Sequence, residues 1–151
     1  MIVETADLER HRKQVAMVDG GFDPLHAGHV EYFKAATSFG CPVLCNVTSD
    51  AYVSRKHPPL LPADQRVRVI DAIRYIDFTH LAGDLSTAEV LERLQPRYYV
   101  KGEDWKGRLP SEEVAVCDEH GIEVAFVDTV VDSSTRILER YLATREGEPC
   151  A

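Results

Sequence analysis

The chain reads as one α/β domain, a Rossmann-like parallel sheet of about five strands with helices on both faces. Three observations predict this. Short apolar runs alternate with helical patterns about five times. Glycine, proline or polar stretches separate the runs. The 151 residues suit one domain with a sizeable core and contain no internal repeat.

Residues 1–13 are polar and read as a short N-terminal helical arm ahead of a domain spanning 14–143. Val15-Ala16-Met17-Val18 is a buried strand ended by Gly20-Gly21. From Gly28 to Phe39, Val30, Phe33, Ala36 and Thr37 recur at helical spacing, and Gly40 is a stop. Pro42 to Val47 is a second strand, and the polar stretch Ser49 to Pro62, with Pro58-Pro59, is a loop. Asp64 to Tyr75 is a helix with Val67, Ile70, Ala72 and Ile73 on its apolar face, followed by a strand at Phe78 to Leu81. Ser86 and Glu89 have capping-box spacing, opening a helix that carries Val90, Leu91 and Leu94 and stops at Pro96. Arg97 to Val100 is a strand, Ser111 caps a helix closed by Gly121, and Ile122 to Val127 is the last strand. Ser133-Ser134 caps a final helix through Tyr141, and 144–151 read as a flexible tail.

Lys plus Arg number 17 and Asp plus Glu 25, a net charge of −8. That argues against a nucleic-acid binder, which carries a basic footprint. No apolar run approaches the ~20 residues that span a bilayer. The acidic N-terminus lacks signal-peptide layout, and Cys41, Cys45, Cys117 and Cys150 form no Cys-x-x-Cys pair, so the expectation is free thiols in the cytoplasm.

In open parallel sheets the ligand sits beyond the carboxyl ends of the strands. The loops to search are therefore Asp19–Ala27, Thr48–Pro62, Lys101–Pro110 and Asp128–Asp132. The first contains Gly20-Gly21-Phe22-Asp23-Pro24-Leu25-His26-Ala27-Gly28-His29, whose glycines allow close backbone approach. His26 and His29, three residues apart, share one side of the first helical turn, where free amides and the helix dipole favour an anion. Two imidazoles there make a cradle for charge on a phosphoryl group. A zinc site is the poorer reading, because no carboxylate or cysteine partner lies nearby.

Gly20 to Ala36 resembles the nucleotidyltransferase superfamily with the His-x-Gly-His signature. Further matching segments follow in that family's order: Val47 to Asp50, Arg55-Lys56, Pro62 to Arg66, Val100 to Trp105 and Ser133 to Thr135. The resemblance covers roughly Gln14 to Tyr141 and is nearest the cytidylyltransferase-like subgroup. That subgroup includes glycerol-3-phosphate cytidylyltransferase and the adenylyltransferase domain of the bifunctional heptose-phosphate enzyme, and the latter looks nearer.

The resemblance implies transfer of a nucleotide from ATP or CTP to a small phosphorylated acceptor, with Mg²⁺ on the triphosphate and pyrophosphate leaving. It implies that His26, His29 and Lys56 are catalytic. It assigns the nucleotide to Gly20, Gly21, Phe22, Asp23, Gly28, Lys101, Gly102, Asp104, Trp105, Ser133, Ser134 and Thr135. Acceptor or phosphate contacts fall to Asp50, Arg55, Arg66 and Arg136. It also implies a homodimer. The positive groups His26, His29, Lys56, Arg66, Lys101 and Arg136 are expected to form a local basic pocket in an acidic protein.

Three departures stand out. Asp19 and Gly21 are not the residues most expected beside Gly20. Ser133 to Thr135 is Ser-Ser-Thr rather than Ser-Thr-Thr. Residues 127–132 are acidic and lack an arginine, which counts against glycerol 3-phosphate as acceptor. Two other classes compete. A non-catalytic nucleotide-binding module need not keep the histidines and the lysine. A flavodoxin-like domain gives no reason for them.

Overall fold

The computed structural model describes residues 1–129 and 133–146. Six parallel strands run through it: β1 (Ile2–Val3), β2 (Ala16–Gly20), β3 (Val43–Val47), β4 (Phe78–Leu81), β5 (Tyr98–Gly102) and β6 (Glu123–Val127). They lie in the order β1-β4-β3-β2-β5-β6, each parallel to its neighbours. The helices are α1 (Ala27–Ala36), α2 (Asp50–Val53), α3 (Ala63–Asp71), α4 (Thr87–Leu94), α5 (Ser111–His120) and α6 (Ser134–Glu146).

Side chains alternate across a strand, so each central strand feeds two cores. Val18, Cys45 and Val100 face Phe33 of α1 and Val67 and Ile70 of α3. Met17, Leu44 and Tyr99 face Val90, Leu91 and Leu94 of α4 and Cys117 of α5. Burying each large apolar side chain contributes about 1.5–3 kcal/mol.

The sixth strand comes from residues expected as an arm. Ile2–Val3 pairs with β4, and the following 3-10 helix, Thr5–His11, sinks Leu8 completely into the second core. Two residues are too short for any periodicity to announce a strand. Within the stretch Ser49 to Pro62, Ser49 Oγ caps the short α2 by accepting from the Tyr52 amide. Ser111 is not a cap: it is the first residue of α5, behind Pro110. The expected stops hold, with Gly40 at φ 72° and Gly121 at φ 63°, and Ser86 and Glu89 form their capping box. Cys41, Cys45 and Cys117 are free thiols, and Cys150 lies outside the described residues. Among the described residues no helix is long and apolar enough to cross a membrane.

After β2 the chain turns to β3 on one side, and β5 later takes the other. This is the topological switch point, and it opens a crevice at the carboxyl ends of β2 and β5.

Candidate active site

A cavity of about 320 Å³ lies in that crevice. Its walls come from the β2–α1 loop, the start of α1, the residues after β3, the end of β5, and the start of α6.

The α1 N-terminus is built by its own histidines. His26 is the N-cap, with extended backbone, and its Nδ1 accepts from the Gly28 amide at 3.1 Å. His29 Nδ1 accepts from the His26 amide at 3.3 Å. The expected free amides are therefore partly consumed. What each ring offers instead is fixed by the tautomer: with Nδ1 accepting, a neutral imidazole carries its proton on Nε2. The rings stack, with centroids 3.7 Å apart and planes 26° apart. Burial and the adjacent His26 hold His29 down at about 3, so it is a neutral donor near pH 7. Phe22 braces His29 edge-on at 5.0 Å.

Phe22 itself takes a left-handed backbone, φ 52°, uncommon for a bulky residue and costing roughly 1–3 kcal/mol. The conformation lays its ring over Gly20, where an added Cβ would stand 3.0 Å from the ring. A Cβ on Gly21 would meet Val53 at 2.9 Å. Packing of the Phe22 ring on Gly20 and of Val53 on Gly21 thus favours glycine at both positions.

All fifteen residues assigned to catalysis or the nucleotide line this one cavity. They include Lys56, exposed at the rim, Gly28 in the first turn of α1, and Gly102, Asp104 and Trp105 after β5. Ser133, Ser134 and Thr135 bring the start of α6 to the same wall, tied down by Ser134 Oγ donating to the Pro24 carbonyl at 2.9 Å.

None of the four residues assigned to the acceptor or its phosphate lines the cavity. Arg66 is fully buried, and its guanidinium donates to the carbonyls of Leu61 (3.0 Å), Gly21 (2.8 Å) and Thr48 (2.8 Å). Its remaining nitrogen pairs with Asp50 at 2.7 Å, which holds that carboxyl below its usual range. Arg66 is therefore a strut joining three loops, and Asp50 is its counter-ion. Arg55 lies over the Tyr52 ring, 5.1 Å from its centroid. Arg136 turns back to Ser133, whose Oγ accepts from the Arg136 amide at 3.1 Å.

Asp23 also works internally. Its buried carboxylate accepts from the amides of Leu60 (2.7 Å) and Leu61 (3.1 Å), pinning the far end of the loop that carries Lys56. Of the six positive groups expected in a basic pocket, Arg66 and Arg136 are elsewhere, His29 is neutral and Lys101 is ion-paired. The cavity offers polar donors more than net positive charge.

Sequence reasoning missed Tyr32, Thr48, Tyr52, Val53, His57, Pro110, Glu113 and Thr129 in the wall, and treated Asp19 only as a departure. Asp19 is buried and accepts from Lys101 Nζ (2.8 Å), Tyr99 (3.2 Å) and Thr87 (3.0 Å). One signal was available. Tyr99 and Lys101 stand two apart on one strand, hence on the same face.

The family model described as Cytidylyltransferase-like matches residues 17–140. The chain is 32% identical over 149 residues to the bifunctional protein HldE of Syntrophotalea carbinolica, covering 91% of this chain and 30% of that one. It is 34% identical over 139 residues to the HldE protein of Trichlorobacter lovleyi, covering 85% and 28%. The chain thus spans under a third of the length of these relatives. A lipopolysaccharide core biosynthesis protein from Thermoplasma volcanium shares the fold, with TM-score 0.65 and 21% identity over 80% of this chain and 98% of that one. So does pantothenate synthetase from Thermus thermophilus, with TM-score 0.64 and 17% identity over 96% and 69%. With its histidine-capped helix at the switch point and a family model spanning most of its length, the chain belongs to the cytidylyltransferase-like family of nucleotidyltransferases.

Proposed function

We propose that the protein transfers a nucleoside monophosphate from a nucleoside triphosphate to the phosphate of a small sugar or polyol phosphate, such as a heptose 1-phosphate, releasing pyrophosphate. ATP is the favoured donor, on the likeness to the heptose-phosphate enzyme. The observation that carries the reading is the stacked His26–His29 pair sharing one cavity with Lys56 and the hydroxyls of Ser133, Ser134 and Thr135.

In the reaction an acceptor phosphate oxygen forms a bond to the α-phosphorus, and the bond to pyrophosphate breaks, its electron pair leaving with pyrophosphate. Such chemistry needs positioning and charge stabilisation more than covalent help. The two Nε2–H donors act where negative charge builds, and their hydrogen bonds strengthen as it does. Lys56 brings a cation from a loop anchored at its far end by Asp23 and Arg66.

Mg²⁺ would neutralise phosphate charge when bound. Asp19 and Asp23 already hold internal partners, which fits a metal carried on the triphosphate with few protein ligands. The resemblance alone supports a homodimer, and the free thiols Cys41, Cys45 and Cys117 suit a reducing cytoplasm.

A second reading uses CTP and glycerol 3-phosphate, another alcohol phosphate or a phosphonate. The description of the matching family model favours it. The acidic stretch that counts against glycerol 3-phosphate lies partly at 130–132, outside the described residues. Pyrophosphate release with Mg²⁺, from ATP and from CTP across a panel of acceptors, tests both. Turnover with ATP and a sugar phosphate supports the first reading. Nucleotide binding without turnover on any acceptor overturns both, leaving a binding module.

A further inference from the structure

The four expected acceptor residues do not line the cavity, and a buried polar cluster in its wall is open to that role. Lys101 Nζ lies 2.8 Å from Asp19 Oδ1, and both side chains are less than a tenth exposed. Tyr99 Oη lies 3.2 Å from Asp19 Oδ1 and 2.9 Å from Glu113 Oε2. Asp19, Lys101 and Glu113 all reach the cavity wall, as does Trp105, whose ring centroid is 4.4 Å from Lys101 Nζ.

One phenol has one proton, yet two carboxyl groups share its oxygen. Tyr99 Oη donates towards both oxygens, so a single proton is divided between two carboxyl groups. Lys101 offsets the charge of Asp19. Burial and the charge on Asp19 push the Glu113 carboxyl up, towards its protonated form. The cluster therefore carries little net charge and is dense in hydrogen-bonding groups.

We propose that Asp19, Lys101 and Glu113 form the acceptor subsite and select an acceptor whose non-phosphate part is uncharged and polyhydroxylated. Hydroxyl groups both donate and accept, which suits the Glu113 carboxyl and the remaining N–H groups of Lys101. An ammonium-bearing acceptor is rejected because the chain's own ammonium already occupies the buried carboxylate and repels a second cation. Trp105 adds an apolar surface for the C–H groups of a carbon chain or ring. The inference rests on the nucleotidyl-transfer reading and goes beyond it in naming how the acceptor is chosen.

The test compares glucose 1-phosphate, glycerol 3-phosphate and ethanolamine phosphate on the full chain. Pyrophosphate release is measured with ATP and CTP, and acceptor binding by calorimetry with a non-hydrolysable triphosphate present. The wild type should favour at least one hydroxylated acceptor over ethanolamine phosphate tenfold or more. Lys101→Ala strips the internal ammonium from Asp19 and should reverse that preference by at least tenfold. Asp19→Asn with Lys101→Met removes both charges with little change of shape. It should lose tenfold on the hydroxylated acceptors without gaining ethanolamine phosphate, and it reads the subsite even where Lys101→Ala fails to fold.

A wild-type preference for ethanolamine phosphate, unchanged selectivity in the double variant, no acceptor bound, or an effect confined to the triphosphate KM would each overturn the proposal. A reversal seen in binding without any pyrophosphate release would keep the subsite and overturn the reaction. Turnover with unaltered selectivity would do the opposite.

Discussion

Replacing Arg66 separates a strut from a ligand contact. In Arg66→Met the side chain stays long and apolar, but four hydrogen bonds vanish. Three of these served the carbonyls of Gly21, Thr48 and Leu61, and the fourth was the 2.7 Å pair with Asp50. Removing one partner of a buried ion pair costs about 3–5 kcal/mol, largely because polar groups are left unpaired. Asp50 is half exposed and regains water, so the lower end of that range, about 3 kcal/mol, is expected. At this chain length each kcal/mol lowers Tm by about 2–4 °C, giving a fall of roughly 6–12 °C. Urea titration should show a lower midpoint with an unchanged slope. Turnover at a temperature where the variant is folded should fall through weaker positioning of the Lys56 loop, with triphosphate affinity reduced less than tenfold. The reasoning fails if Tm moves by less than about 2 °C while triphosphate affinity collapses. That result would put Arg66 on the ligand, as its place in the Pro-x-x-Gln-Arg pattern suggested.

His29→Ala removes one Nε2–H donor and one cap. It should cut turnover about 10²–10³-fold by analogy with loss of a single transition-state donor, while the chain keeps its circular dichroism; retained activity would refute the role. Lys56→Ala touches only an exposed side chain, so Tm should stay within about 1–2 °C while kcat falls at least tenfold. An unchanged kcat would leave the loop without a catalytic group. His80 is buried between Thr5 and Asn46, and burial holds it at about 4. Its ordinary value is about 6.5, so only the unfolded chain takes up its proton between those limits. The stability it contributes is complete above about pH 6.5 and is lost as pH falls towards 4, worth up to about 3 kcal/mol. Urea midpoints across that window measure it, and His80→Gln should flatten the slope.

The elements were legible because their causes are local. The Ser86–Glu89 capping box and the stops at Gly40 and Gly121 depend on residues within one helical turn. The alternation of strand and helix follows from side-chain period. It sends the loop ends to one edge of the sheet, which is why all fifteen catalytic and nucleotide assignments meet in one cavity. What the sequence by itself determined, then, was the architecture, the edge and the histidine pair. Tertiary structure decided which charges remain available. A charge is spent on whatever partner the fold brings near, and those partners are far off in sequence. Lys101 meets Asp19 across 82 positions, Arg66 meets the Gly21 carbonyl across 45, and Asp23 meets the Leu60 amide across 37. Arginine and aspartate in matching motifs look equally ready for a ligand. Burial forces them to pair inside the chain first, because an unpaired buried charge costs more than any one ligand contact returns.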